Sequence, residues 1–334
     1  MLLVVMEHSS THLFKTFEGF PTVHTYMVYI VQFMMPAFFF ICGYVLYRPE
    51  IGWSGDRIKI LLKGKMNSQL ISPCLFFLLY LYLSDISIKD GLLEYHKEGY
   101  WFTFSLFFFY ILISCYYGII SRLRINYKYT DYFLAFIGVL MFYIAHFICS
   151  YESIKDITGL LGIFHWRYFI FLLFGYFARK YALLERRKKT EIICGVSIIL
   201  FVMLNVFYNQ LDSSHWTVAL LNILLLGIAG TILTYCFFNV YSNRIKNTVI
   251  GKALEYIGQR TLCVYYLNFL LLPIQVQYCT EFLRVYPMPL VEIFLSFILA
   301  GINIGVCLIF YNVVFLCPPL GEFLFGKRYI VQND

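Results

Sequence analysis

The sequence predicts an all-α polytopic membrane protein: a bundle of about ten transmembrane helices forming one domain over residues 1–334, with its C-terminus in the cytoplasm. Three observations carry that reading. Of 334 residues, 60% are hydrophobic and only 13% charged, and the mean hydropathy is +0.72; an ordinary soluble domain has about a quarter of its residues charged. Apolar runs of spanning length recur along the whole chain, each near the ~20 residues that a helix needs to cross a ~30 Å hydrocarbon core. Lysine and arginine gather in alternate connections between those runs, as the positive-inside rule requires.

The first run is incomplete. In "MLLVVMEHSS" six apolar residues precede Glu7 and His8, and six residues rise only about 9 Å as a helix. The expectation is a sequence that opens partway along a tenth helix whose inner half would precede Met1; a shortened chain, a misplaced start codon or a degenerate gene would each produce it. Nine complete spans follow, near 26–47, 67–84, 102–121, 132–150, 164–180, 191–208, 217–238, 261–279 and 290–316, with boundaries set to within several residues. Between the first two, "RIKILLKGK" from Arg57 to Lys65 reads equally as a short amphipathic helix on the inner surface or as a basic loop.

The connections set the orientation. Arg48 to Lys65 holds five basic residues, Arg122 to Lys128 three, Arg179 to Lys189 six, Arg244 to Arg260 four and the tail two; together they carry 20 of the 26. These connections are placed inside, which puts residues 9 to 25 outside, along with the six remaining basic residues. The net charge of +7 is then that of inner loops facing an anionic leaflet and is no argument for nucleic acid. The ten cysteines, Cys42 to Cys317, stand singly without CxxC or metal-ligand spacing; they read as buried free thiols, and no metal is expected. A secretory signal would show a basic region and a small-residue cleavage site, and neither is present.

An ionisable side chain at membrane depth costs several kcal/mol (~2.5–3.5 on insertion scales) and is by default a candidate functional group. His8 leads: neutral imidazole is the usual base for activating a hydroxyl, against the alternative of a helix-end cap. Glu7, its neighbour, should point about 100° away on a helix and meet another helix instead. In "FHWRYFIFLLFGYFARK", Phe164 to Lys180, His165 and Arg167 sit at the outer mouth of a span. There a guanidinium suits a carbonyl oxygen, a phosphate or a developing oxyanion, or with Trp166 and Tyr168 serves as an interfacial anchor. His146 reads as a bundle histidine, and Asn205, Asn222, Asn268, Asn303 and Asn312 as interhelical hydrogen-bond donors. Phenylalanine and tyrosine, 64 residues together, read mostly as packing, with some available to a sugar.

Several local patterns then coincide in order. "LLVVMEHSS" resembles the end of the first helix of the membrane acyltransferase 3 family, which reads as Lys or Arg, ten residues, then a catalytic His. "FMMPAFFFICGYVL" resembles that family's F-H-M-P-L-F-F-F-x-S-G-Y, especially in the fucose and polysaccharide O-acetyltransferase branch. "QLISPCLFF", "GYWFTFSLFF", "WRYFIFLLFGYFARK" and "YIGQRTLCVYYLNFLL" resemble its L-x-x-P-Y, W-F-L-x-x-L, R-x-x-x-F-x-L-G-Y and I-G-x-x-S-L-x-I-Y-L-L-H. The resemblance covers nearly the whole chain. It implies O-acyl transfer: acetyl, or another acyl group, passes from cytoplasmic acetyl-CoA to a hydroxyl of an envelope glycan or glycolipid. His8 would be general base or transient acyl carrier, Arg167 would bind the acceptor or the oxyanion, and Glu7, His165 and Asn268 would support them. It also implies a multi-pass protein of the inner, plasma membrane.

The departures from the pattern bear on activity. The family's basic partner lies eleven residues before its histidine, about 16 Å along the helix, and that position would precede Met1. Met34 stands where the branch often has His, Cys42 where it has Ser, and Asn268 where it has His. A member that binds or translocates glycan without catalysis is therefore the alternative to an enzyme, and a glycan polymerase or flippase stands third. The residues set no oligomeric state, since a ten-helix bundle can satisfy its own polar groups as a monomer.

Overall fold

The computed structural model describes residues 1–14, 25–49, 52–123, 127–184, 187–210, 216–271 and 289–326. Its regular structure is helical throughout, with no strand among the described residues. Among the described residues seven helices are long and apolar enough to cross a membrane, or eight if one bent pair, Glu152–Leu161 with Ile163–Lys180, counts as a span. The chain divides into two compact units, Met1–Ala37 with Arg186–Leu316, and Phe38–Glu185 with Cys317–Asp334.

In the first unit α1 (Leu2–Phe14) packs against α14 (Pro289–Val314). Val4, Val5, Met6, Ser9 and Ser10 are its buried residues. Helices α10 (Arg187–Gln210) and α11 (Trp216–Ile245) form an extensive pair. They are joined by the Asn222 amide, which donates to the Leu204 carbonyl at 3.2 Å. The other face of α10 leaves Ile192, Val196, Ile199, Val202, Met203 and Val206 exposed, an apolar surface that only lipid would favour. Two short helices follow, α12 (Val249–Gln259) and α13 (Thr261–Leu267). The Thr248 hydroxyl caps the first of them by accepting the Gly251 N–H at 3.0 Å.

The second unit begins within α2 (Thr25–Leu46) and continues through α3 (Gly55–Met66), a π turn at Asn67–Ile71 and α4 (Ser72–Leu83). After α5 (Ile88–Leu93) and a 3₁₀ turn at Lys97–Gly99 come α6 (Trp101–Leu123) and α7 (Tyr127–Cys149). Helix α8 (Lys155–Leu161), a 3₁₀ segment at Ile163–Tyr168 and α9 (Phe169–Lys180) complete the core. Helices α2 and α9 cross at backbone contact. A Cβ on Gly43 would lie 1.9 Å from the Leu172 oxygen and one on Gly175 1.9 Å from the Phe40 oxygen, so only glycine permits the approach. Helix α15 (Pro318–Phe325) rests on the π turn. Gly326, at φ +64°, ends it where a Cβ would strike Ser68.

A carboxylate fastens one end of this unit. Asp131, 4% exposed, accepts from the Tyr117 hydroxyl at 2.7 Å, the Tyr181 hydroxyl at 2.5 Å and the Lys180 ammonium. Trp53 Nε1 donates to Tyr176 at 3.0 Å beside it. Three donors converge on the acid, so it ties α6, α7 and the end of α9 together.

Several expectations change. "RIKILLKGK" is helical, and Gly55–Leu83 runs on as one 29-residue apolar stretch, because a π turn adds a residue to the helix without ending it. Helix α13 stops at Leu267, so the described part of the 261–279 run is far too short to span; residues 272–279 lie outside the described residues. Among the described cysteines none is in a disulfide, but only Cys236, Cys263 and Cys307 are buried, and Cys115 and Cys317 are exposed. An exposed thiol facing lipid costs nothing, so burial was the wrong inference for those two. Cys279 lies outside the described residues.

Candidate active site

The first unit holds the Glu7–His8 pair. His8 Nδ1 lies 3.0 Å from Glu7 Oε2 with both side chains partly exposed, contrary to the expectation that helical neighbours point apart. The 100° between Cα–Cβ bonds limits short side chains, but a glutamate has three rotatable bonds and reaches round to the imidazole. The ring rests at 4.2 Å, centroid to centroid, from Phe269. A carboxylate on one nitrogen fixes the ring and stabilises the imidazolium that forms when the other takes a proton.

Around that pair α1 meets α14 through the Ser10 hydroxyl, which reaches Glu292 Oε1 at 3.5 Å. Glu292 is 0% exposed. The sequence reading passed over it because it lies at the start of an apolar run, where an acid looks like a helix-end residue; a carboxylate at membrane depth was the signal. Asn268 is fully buried. Its amide donates to the Tyr265 carbonyl at 2.7 Å, and its backbone oxygen accepts from Asn303 at 3.1 Å. It therefore knits α13 to α14. Arg260, 5% exposed, was counted only as a loop cation; its guanidinium stacks 3.7 Å over the Tyr256 ring and its Nε has no partner.

The second unit holds His165 and Arg167 on the 3₁₀ segment before α9. His165 is 1% exposed, far from the interfacial anchor that its sequence position suggested. It stacks on Trp101 at 3.8 Å and 11°, and Nε2 sits 2.8 Å from the Tyr95 carbonyl. A carbonyl only accepts, so in the neutral ring the proton is on Nε2 and Nδ1 offers a lone pair. Nδ1 is buried without a partner. Arg167 lies 3.7 Å over the Phe164 ring and donates to the Tyr168 hydroxyl at 3.0 Å. Its Nε is also unpartnered, and no carboxylate among the described residues pairs with it.

His165 borders a pocket of about 310 Å³ walled mainly by aromatic and leucine side chains from α4, α5, α6 and α8, with Tyr95, Lys97 and Ser105 among its other polar members. The pocket is braced by a strained turn. Lys97 and Glu98 have φ of 45° and 48°, a conformation that costs non-glycine residues about 1–3 kcal/mol each. The Lys97 ammonium holds it by donating to the carbonyls of Leu92, of Glu94 at 3.2 Å and of Gly159 at 2.6 Å. Burial pushes the Lys97 amine down to about 8, and the Glu94 charge opposes that shift. His146 gives Nδ1 to its own helix, 2.9 Å from the Phe142 oxygen.

The site residues therefore fall in both units: Glu7, His8 and Asn268 in one, His165 and Arg167 in the other. No group of three metal-ligating side chains gathers among the described residues. The first unit presents a histidine backed by a carboxylate, and the second a guanidinium stacked on the Phe164 ring. No curated protein and no solved structure matches the chain significantly. The family model for the acyltransferase domain of the acyltransferase 3 family matches residues 1–312 and so takes in both units. By that match the chain belongs to the acyltransferase 3 family, the membrane acyltransferases.

Proposed function

We propose that this membrane acyltransferase carries acetyl from cytoplasmic acetyl-CoA to a hydroxyl of an extracytoplasmic or envelope glycan, with the two units acting as one domain in the inner membrane. The observation that carries the chemistry is the 3.0 Å contact of His8 with Glu7. With Nδ1 on the carboxylate, Nε2 is the nitrogen left to take the acceptor's hydroxyl proton. The alkoxide oxygen attacks the acyl carbonyl and a tetrahedral oxyanion forms, of the kind that fixed cationic or N–H donors stabilise. The carbon–sulfur bond then breaks, and the thiolate leaves with the proton that the imidazolium returns. Glu7 offsets the positive charge of the imidazolium throughout. Base catalysis of this kind contributes about 10²–10⁴-fold.

The test is transfer of labelled acetyl from acetyl-CoA to envelope glycan in membranes carrying the full chain, beside His8→Ala at matched expression. Label that falls at least about a hundredfold in the variant supports the reading; equal labelling makes His8 structural and sinks it. Asn268, where the family pattern has His, supports a second reading, a member that binds or moves glycan without transfer. An unlabelled parent presented with a range of glycan acceptors would favour it.

A further inference from the structure

The pocket in the second unit differs from a sugar cleft in two respects. Its wall is nearly all hydrocarbon: Trp101, Phe104 and Phe108 from α6, with Leu92 from α5 and Leu160 and Leu161 from α8. Its leucines are also partly bared, with Leu92 39%, Leu160 53% and Leu161 58% exposed. In a membrane protein such a rim admits an apolar body from the lipid more readily than a hydrated glycan from water.

The polar side chains of the wall are not equivalent. Lys97 spends its ammonium on three backbone carbonyls, so it has no N–H left to donate to a ligand. His165 is nine-tenths buried and more, its tautomer is set by the Tyr95 carbonyl, and Nδ1 is left as a bare acceptor. A buried acceptor without a donor costs about 1–3 kcal/mol, and native structures satisfy nearly all such groups. What would satisfy this one is a hydroxyl hydrogen. An anion would meet a lone pair, and a bare alkyl chain would leave the nitrogen unpaired.

We propose that the pocket bordered by α5, α6 and α8 binds the apolar part of an amphiphilic alcohol whose hydroxyl donates to His165 Nδ1. Taken with the acyltransferase reading, on which this step rests, the occupant is a lipid-borne acyl acceptor with more than one hydroxyl: the one on His165 keeps its proton, and another is the one acylated. His165 is then a positioning residue: its neutral ring receives a hydrogen bond and keeps its own proton on Tyr95.

The probe is a ten-carbon alcohol bearing a photoreactive diazirine, with its methyl ether as the matched control, applied to the full chain in lipid nanodiscs without acyl donor. The alcohol is expected to label peptides spanning Trp101–Phe108 and Leu160–Trp166, and to do so up to about tenfold better than the ether, the worth of one net hydrogen bond. Ser105→Trp, which fills the pocket, should remove the labelling. His165→Gln places its amide where Nε2 was and loses the acceptor, so it should label but lose the preference for alcohol; His165→Asn, with its amide near Nδ1, should retain it. Equal labelling by alcohol and ether in the parent, a comparison that needs no variant, would overturn the proposal, as would labelling indifferent to Ser105→Trp. Because no donor is present, lost labelling with intact acetyl transfer rejects the pocket alone, and labelling without transfer rejects the chemistry alone.

Discussion

His8 in the first unit leans Nδ1 on the Glu7 carboxylate at 3.0 Å, whereas His165 in the second gives Nε2–H to the Tyr95 carbonyl at 2.8 Å. His8 is partly open to its surroundings, with 20% of its side chain exposed and the Glu7 carboxylate behind the ring. His165 is pressed against Trp101 at 3.8 Å with 1% exposure, and its Nδ1 is left without a partner. In the proposed transfer one imidazole changes charge and the other stays neutral. Residue type alone could not separate them; the group behind each ring does.

The largest expected effect would break that contrast at its first member. His8→Ala should lower kcat/KM for acetyl transfer by about 10²–10⁴-fold, or about 3–5 kcal/mol of transition-state stabilisation. His165→Gln should instead raise the acceptor KM with kcat nearly intact, because it removes binding shared by ground and transition states. Steady-state kinetics on both variants in one membrane preparation decide it. If His165→Gln loses kcat and His8→Ala does not, the roles are reversed.

Glu7→Gln comes next, with an expected fall of about 10–100-fold, mostly in kcat, since the amide keeps the shape of the pair but cannot offset the imidazolium charge. Groups that act as a unit are non-additive, so Glu7→Gln with His8→Ala should be no slower than His8→Ala alone. A double variant slower by the full product of the two effects would mean that Glu7 acts elsewhere. In the second unit, Arg167→Lys keeps the charge but loses the planar stack over Phe164. It should cost about tenfold in kcat/KM, and Arg167→Met considerably more.

Much of this arrangement was legible in the chain. Apolar run length located the long helices, and the ionisable residues inside those runs singled out His8, Arg167 and His165. The readings that failed did so where a three-dimensional partner decides. Glu7 was assigned to another helix because Cβ directions were counted without the reach of a flexible side chain. His165 carries two readings in the sequence, an anchor beside Trp166 and Tyr168 or a supporting site residue, and its burial depends on Trp101, more than sixty residues away. Glu292 escaped notice because nothing near it in sequence announces the Ser10 hydroxyl on α1. The π turn that joins α3 to α4 has no sequence mark at all.

The smallest effect concerns what holds His165 in place. The Tyr95 carbonyl that fixes its tautomer lies two residues before Lys97, and the strained turn between them and α6 is clamped by the Lys97 ammonium. The folded-state amine is pushed down to about 8 from 10.5, so between those values the unfolded chain binds more protons than the folded one. Stability therefore rises with pH across about 8 to 10.5 and stops changing below about 8, where both states are protonated; with solvent screening the gain is about 1 kcal/mol. Thermal midpoints in nanodiscs at pH 7.5 and 9.5 should show this rise in the parent. Lys97→Met, which has no proton to lose, should flatten it and lower the midpoint at both pH values, because three carbonyls lose their donor. An undiminished rise in Lys97→Met would assign the titration to another group. A flat response in both would show that the three carbonyls offset the cost of burying the ammonium, so that the turn under His165 is held equally firmly at either pH.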